Sequence, residues 1–195
     1  EEHQLTPETV YGVLVPNTYE IYWNTSPSMF LERMLREYRI FWNEKRLALA
    51  RNIGLSPMEV MTLASIVDEE TLKTEEEARI AGLYMNRLKQ GMRLQADPTV
   101  KFAVGDMTIT RVLKKHVAIK SPYNTYRQGG LPPGPIVIPS VSAIEAVLQH
   151  DRHKYLYMCA REDFSGFHNF ARTLSQHNKN ARSYQNALNR RKIFN

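Results

Sequence analysis

The chain has 195 residues, of which 43% are apolar, so it is long enough to bury the core of one domain. Its formal net charge of +6 and its pI of about 9.4 favour an anionic partner such as nucleic acid, anionic lipid or an acidic polymer. The single cysteine, Cys159, excludes an internal disulfide, and no apolar run is long enough to cross a bilayer.

Two helices are predicted in the first third of the chain. Ser26 and Pro27 are typical of an N-cap followed by proline at the first helical position, and apolar residues at helical spacing continue until Gly54. The segment 56–59 (Ser-Pro-Met-Glu) forms a capping box, which predicts the start of a second helix.

A third helix is predicted to begin at Thr74, where the segment 74–77 forms another capping box, and to run to about Gln90. Gly91 then supplies its C-cap. The segment 92–139 is low in periodicity and holds most of the prolines. Long irregular segments of this kind are often functional, so the site is expected there.

The last part of the chain predicts a short helix, a hairpin and a closing helix. Ser142 and Glu145 form a third capping box, 155–160 and 167–171 are expected to be strands, and a helix follows from Leu174. The predicted fold is therefore α+β: a mainly helical domain with a small antiparallel β-sheet or hairpin and long site loops rich in proline and glycine.

Glu70 ends an apolar helical stripe. Leu63, Ile66 and Val67 lie seven, four and three residues before it, and these spacings share one helix face. A carboxyl held at the end of such a stripe is poorly solvated, which raises its pKa into the range that a general acid needs. The alternative is an acidic helix end, 68–70, that simply faces water.

The sequence lacks the motifs of several common kinds of catalytic and binding site. The chain has no phosphate-cradling glycine loop and no Gly-x-Ser-x-Gly elbow, and its single cysteine has no partner at zinc spacing. A few acids and histidines could in principle bind a metal, but they match no spaced ligand motif: Glu69, Glu70, Asp97, His168 and His177. We therefore expect neither a metal nor a cofactor.

Three polar motifs accompany Glu70. Pro98 restrains Asp97 within the segment 94–99, although an Asx turn or an N-cap would explain it equally. The segment 121–126 (Ser-Pro-Tyr-Asn-Thr-Tyr) sets an amide between two tyrosines, which suits a sugar, or it is a plain structural loop. The segment 168–178 carries several polar side chains, and a buried hydrogen-bond network would explain them as well.

Taken together, these motifs resemble those of the MltG/YceG-like endolytic murein transglycosylases of bacteria. The resemblance covers nearly the whole chain, through the segments 12–20, 64–71, 85–88, 91–99, 121–135 and 167–178. It implies that residues 1–195 form the catalytic domain of a longer protein, without the N-terminal membrane anchor and most of a LysM-like region. The family works at the cytoplasmic membrane, on its periplasmic or outer side, while this chain alone would be soluble.

The resemblance implies an activity and its partners. The catalytic glutamate maps to Glu70, which would protonate the oxygen between N-acetylmuramic acid and N-acetylglucosamine and then take the proton of the muramic 6-hydroxyl. The product is a 1,6-anhydro end, and cutting nascent strands would terminate their elongation. Peptidoglycan strands are the expected substrate, penicillin-binding proteins or other glycan polymerases are candidate partners, and nucleic acid is not expected.

Further site residues are expected around Glu70. We expect supporting roles for Asp68, Asp97 and His168. The chain departs from the family at positions 68–70, where it reads Asp-Glu-Glu and the family commonly has a glutamate, a basic residue and a second glutamate. Expected substrate contacts are Gln95, Thr99, Ser121, Tyr123, Asn124, Thr125, Tyr126, Phe170 and Asn178. Two alternatives stay open: a hydrolase that uses water with Asp68 or Asp97 as second carboxylate, and a non-enzymatic module that binds glycan or nucleic acid.

Overall fold

The computed structural model describes residues 5–191, and the predicted α+β class, mainly helical with one antiparallel hairpin, is confirmed. A 3-10 turn (Val10–Val13) precedes the helices. The helices are α1 (Pro27–Phe41), α2 (Glu44–Ile53), α3 (Pro57–Glu70), α4 (Thr74–Lys89), α5 (Asp97–Val104), α6 (Lys114–Val117), α7 (Val141–Leu148) and α8 (Leu174–Arg190). The strands are β1 (Tyr157–Ala160) and β2 (His168–Ala171). Within residues 5–191, no helix is long and apolar enough to span a membrane.

Helix α3 is the centre of the core. Every residue from Val60 to Val67 is buried, so the helix is enclosed on all sides, with α4, α7 and α5 packed against it. Its predicted capping box is confirmed, because Ser56 Oγ accepts from the Glu59 amide while the Glu59 carboxylate accepts from the Ser56 amide. The helix ends at Glu70, so this carboxyl emerges where the apolar core stops.

The predicted first helix is in fact two helices. Helix α1 begins at Pro27 with Ser26 as its N-cap, as expected, but it ends at Phe41 instead of continuing to Gly54. The Asn43 side chain accepts a hydrogen bond from the Arg46 amide and caps α2. An asparagine at this point offers the backbone an alternative to the helical ladder, which the apolar periodicity alone does not reveal.

Two predicted capping boxes are wrong in detail. Helix α4 begins at Thr74 itself, so Lys73 is the N-cap residue and provides no side-chain cap, while Glu77 is buried and accepts from Ser142. Helix α7 is capped by Ser140, whose Oγ accepts from the Ala143 amide. Ser142, the predicted cap, lies within the first turn of α7. In both cases the residue predicted to cap the helix is already part of its first turn.

The irregular segment 92–139 contains two helices that the sequence pattern did not predict, α5 and α6. Eight and four residues are too few turns for a periodic pattern to emerge. The predicted hairpin is confirmed, with Tyr157 opposite Ala171 and Ala160 opposite His168. Helix α8 packs against its strands.

Candidate active site

A cavity of about 220 Å³ opens at the end of α3, between α4, the start of α5 and the hairpin. Its walls combine acids, a buried arginine, two tyrosines and the edge of β1. The lining residues are Glu70, Leu83, Tyr84, Arg87, Leu94, Gln95, Asp97, Tyr126, Met158, Cys159, Ala160 and His168.

Glu70 projects into this cavity from the apolar stripe. Leu63, Ile66 and Val67 are fully buried beneath it, and only part of Glu70 itself is exposed. Desolvation raises the pKa of the Glu70 carboxyl to about 7, and the negative charge of Asp97 acts in the same direction. A carboxyl with this pKa is substantially protonated near neutral pH and can still give up its proton, as acid and base catalysis require.

Tyr84 is the direct partner of Glu70. It lies on α4, is 2% exposed, and its hydroxyl donates a 2.6 Å hydrogen bond to Glu70 Oε1. Burial and the neighbouring carboxyl raise the pKa of Tyr84 well above its ordinary value, so it remains a donor. Among the described residues, the carboxyl is hydrogen-bonded through Oε1 only, which leaves Oε2 facing the cavity. Tyr84 is not among the residues that the sequence predicted for the site, although a tyrosine on a buried helix face needs a polar partner.

Arg87 is likewise not among the predicted site residues. Its side chain links separate parts of the cavity wall by hydrogen bonds. Its side chain is buried, and its Nε donates to the Leu156 carbonyl at 2.6 Å. Its Nη1 donates to the carbonyls of Arg93 (3.0 Å) and Leu94 (2.8 Å) and to Gln95 Oε1 (3.2 Å). Gln95 has φ of 54°, a left-handed conformation that is uncommon for a residue with a side chain. The guanidinium thus joins α4 to the strand side and to the turn that carries Gln95.

Asp97 brings a second carboxylate to the cavity. It is the first residue of α5, and its Oδ1 accepts a 2.6 Å hydrogen bond from the Tyr126 hydroxyl. Desolvation and the Asp97 carboxylate raise the pKa of Tyr126 well above its usual value, so the tyrosine donates. Tyr126 therefore fixes the direction of Asp97 and closes one side of the cavity.

His168 faces the cavity from β2 and is held by a buried acid. Its Nδ1 lies 2.9 Å from Oε2 of Glu76, and its backbone amide donates to both oxygens of the same carboxyl at 3.1 Å. Glu76 is only 3% exposed. The carboxyl thus fixes the ring orientation, with Nε2 as the ring nitrogen that remains free of this contact.

Asp68 does not reach the cavity. Its two oxygens accept hydrogen bonds from Ser140, one from the backbone amide (3.0 Å) and one from the hydroxyl (2.7 Å). Asp68 therefore supports the first turn of α7, and the supporting role near Glu70 that we expected of it does not fit its placement.

Three residues of the 121–126 motif are buried and do not line the cavity: Tyr123, Asn124 and Thr125. The Asn124 amide nitrogen donates to the carbonyls of Val117 (2.9 Å) and Ile119 (2.8 Å), and its oxygen accepts from the Tyr126 amide (3.1 Å). Both N–H groups of the amide are used and the side chain is fully buried, so Asn124 shapes the loop and does not reach a sugar. Thr125 Oγ1 lies 2.8 Å from Oγ1 of the equally buried Thr99.

The remaining predicted contacts also lie outside the cavity lining. Ser121 Oγ accepts from the Tyr123 amide, and the Phe170 ring packs against Tyr155 with centroids 5.7 Å apart. Asn178 is exposed on α8. Of the nine expected substrate contacts, the structure places Gln95 and Tyr126 in the lining.

The chain is similar to several known proteins. A model of the YceG-like family matches residues 1–183. The chain belongs to the YceG-like family. It is 36% identical over 179 residues to a protein of Bacillus subtilis named endolytic murein transglycosylase, covering 91% of this chain and 49% of that protein. A Streptococcus pneumoniae (strain R6) protein of the same name is 33% identical over 184 residues, covering 90% of this chain and 32% of that protein.

A solved structure shares the YceG-like fold. The 2.6 Å crystal structure of a yceG-like protein from Listeria monocytogenes is 34% identical and superposes with a TM-score of 0.77. The match covers 86% of this chain and 54% of that one. This YceG-like chain thus spans about half the length of the Bacillus relative and about a third of the Streptococcus relative.

Proposed function

We propose that this YceG-like domain is an endolytic murein transglycosylase in which Glu70 is the single acid and base. The observation that carries the proposal is the Glu70 carboxyl, desolvated in an open cavity with its pKa raised to about 7. The name shared by the Bacillus and Streptococcus relatives supports the same substrate class, the glycan strands of peptidoglycan.

The reaction needs one proton donor that becomes the acceptor. Protonated Glu70 donates to the oxygen between C1 of N-acetylmuramic acid and the next N-acetylglucosamine, and the C1–oxygen bond breaks. The carboxylate then takes the proton of the muramic 6-hydroxyl while that oxygen bonds to C1. The proton returns to Glu70, no water is consumed, and a 1,6-anhydro ring forms. An internal nucleophile also gains the advantage of proximity.

The neighbours of Glu70 suit these two stages. Tyr84 occupies Oε1, so the proton is delivered and recovered at Oε2, the oxygen left for the cavity. Asp97 supplies negative charge beside the position where positive charge develops at C1, and Tyr126 keeps that carboxylate in place. His168 donates from Nδ1 to Glu76, so its Nε2 is available as an acceptor for a sugar hydroxyl or for the N–H of the N-acetyl group.

Hydrolysis is the second candidate, and the presence of Asp97 in the same cavity favours it. A glycosidase uses a pair of carboxylates, one as acid and one as base or nucleophile, and Asp97 is available for the second role while Asp68 is not. A non-enzymatic binding module is less well supported, because binding alone has no need of a carboxyl with a raised pKa.

Product analysis in ¹⁸O-labelled water separates these candidates. Long uncrosslinked strands are incubated with the protein and with Glu70→Gln as the matched inactive control. The lytic reaction yields fragments of mixed length that are lighter by one water than hydrolytic products and contain no label. Labelled reducing ends would instead show hydrolysis, and disaccharides alone from the start would contradict cleavage inside strands.

The cellular role follows from the activity. Cutting nascent strands would terminate their elongation and contribute to cell wall biogenesis, with the domain attached to the cytoplasmic membrane and facing outward. Glycan polymerases, including penicillin-binding proteins, are the partners that such a role needs. Co-purification of the full-length protein with these polymerases, compared with purification of this domain alone, tests that role.

A further inference from the structure

A second open groove lies on the other side of Tyr126. Its volume is about 510 Å³, within the range of ligand sites, and it runs between the segment after α4, helix α6 and the loop at 126–128. Tyr126 lines both this groove and the cavity of Glu70, so the two spaces are neighbours. The lining residues are Arg93, Lys114, Val117, Ala118, Tyr126, Arg127 and Gln128.

All the charged side chains that line this groove are positive. Arg93, Lys114 and Arg127 are exposed, and none of the seven lining residues is acidic. Among the described residues, no salt bridge involves these three cations, whereas Arg46 pairs with Glu145 at 2.7 Å. Three cations without a carboxylate partner create a positive potential that attracts an anionic ligand.

Hydrogen bonds hold in place the loop that forms one side of this groove. Asn124 ties the loop to the end of α6 through the Val117 and Ile119 carbonyls. Arg93 Nη1 donates to the Tyr126 carbonyl at 3.2 Å, which links the segment after α4 to the same loop. The fold therefore fixes the Arg93 side chain and the backbone that carries Lys114 and Arg127, which reduces the cost of ordering the groove around a ligand.

We propose that this cationic groove, defined by Arg93, Lys114 and Arg127, binds the carboxylates of the peptide branch that muramic acid carries. The inference rests on the proposed function. The branch leaves the same sugar whose C1 reacts at Glu70, so it must emerge beside the cavity, and the groove adjoins the cavity at Tyr126. The domain therefore prefers strands that still bear acidic peptides over strands from which the peptides have been removed.

A binding experiment tests this preference without requiring cleavage. Glu70→Gln protein is titrated with glycan strands of one length in two forms, one with intact peptides and one stripped by an amidase. The test variant adds Lys114→Gln and Arg127→Gln, since neither side chain makes a hydrogen bond or an ion pair within residues 5–191. Thermal unfolding of each variant confirms that it is folded.

The control uses a second basic cavity. Lys89 and Arg152 line an open space of about 490 Å³ that shares no lining residue with the cavity of Glu70. The control protein carries Lys89→Gln and Arg152→Gln, which removes the same charge. A purely long-range effect of net charge would weaken binding equally in the test and control proteins.

We expect the test variant to lose about fivefold in affinity for peptide-bearing strands and to bind stripped strands almost as the parent does. The control protein should lose less affinity for peptide-bearing strands. The loss should shrink at high salt, because exposed charges are screened. An equal loss on both strand forms, or no preference by the parent protein, would overturn the proposal. Failure of the wild-type protein to cut either strand would reject the proposed function instead, and the binding data would still decide on the groove.

Discussion

Tyr84 and Glu70 lie on adjacent helices, fourteen residues apart, and share a 2.6 Å hydrogen bond that opposes the effect of burial on the carboxyl. Burial raises the pKa of Glu70 because the carboxylate loses water, while the tyrosine hydroxyl stabilises the carboxylate and lowers the pKa. The resulting value of about 7 allows the same group to donate a proton and to recover it.

Replacement of Glu70 by Gln should abolish cleavage and preserve the fold, because the amide keeps the shape but cannot supply the proton. It should also change the pH dependence of stability. The folded pKa of about 7 lies above the ordinary value of 4.5, so wild-type stability falls as pH rises from 4.5 through 7. Urea unfolding should therefore show that Glu70→Gln gains stability relative to wild type from pH 5 to pH 8.

The Tyr84→Phe variant should raise the pKa of Glu70, because it removes a hydrogen bond that lowers this pKa. Since the protonated acid is the active form, the falling limb of kcat/KM should move to higher pH. A ¹³C NMR titration of the Glu70 carboxyl measures the same shift without substrate. Tyr123→Phe is the matched control, because Tyr123 packs on Phe102 and does not line the cavity. An unchanged Glu70 titration in Tyr84→Phe would contradict this assignment.

Asp97→Asn should move the falling limb of the kcat/KM profile to lower pH, opposite to the effect of Tyr84→Phe. The negative charge of Asp97 raises the pKa of Glu70, so its removal lowers that pKa and the activity declines at a lower pH. The pH profile of kcat/KM and the carboxyl titration again provide the two readouts. Shifts of the same sign in Tyr84→Phe and Asp97→Asn would contradict the role of one of the two residues, and the direction of the shift would show which.

Asn124→Ala should destabilise the domain by about 2 to 3 kcal/mol, because it removes three hydrogen bonds from the partly buried carbonyls of Val117 and Ile119 and the amide of Tyr126. Asn178→Ala is the control, since that side chain is exposed on α8 and should change stability by less than about 0.5 kcal/mol. Urea unfolding of both variants provides the comparison. If Asn124→Ala were as stable as the wild type but bound glycan more weakly, Asn124 would instead be a direct sugar contact.

Local patterns determined several features of this domain without tertiary information. The Ser56 capping box, the apolar stripe that ends in Glu70 and the hairpin before α8 each lie within one continuous segment whose own residue pattern indicates the element. Their physical causes, which are orphan amide groups, helical periodicity and alternation in strands, act over the same short range. Sequence reasoning therefore reached Glu70 and the reason for its raised pKa.

The tertiary structure decided which side chains surround Glu70. Tyr84, Arg87 and the Glu76 carboxyl behind His168 are paired across separations of up to 92 residues, and no local pattern encodes such a distance. The same limit explains Asn124. A polar side chain in a loop can face a ligand or satisfy buried backbone groups, and only the packing of the loop against α6 selects the second.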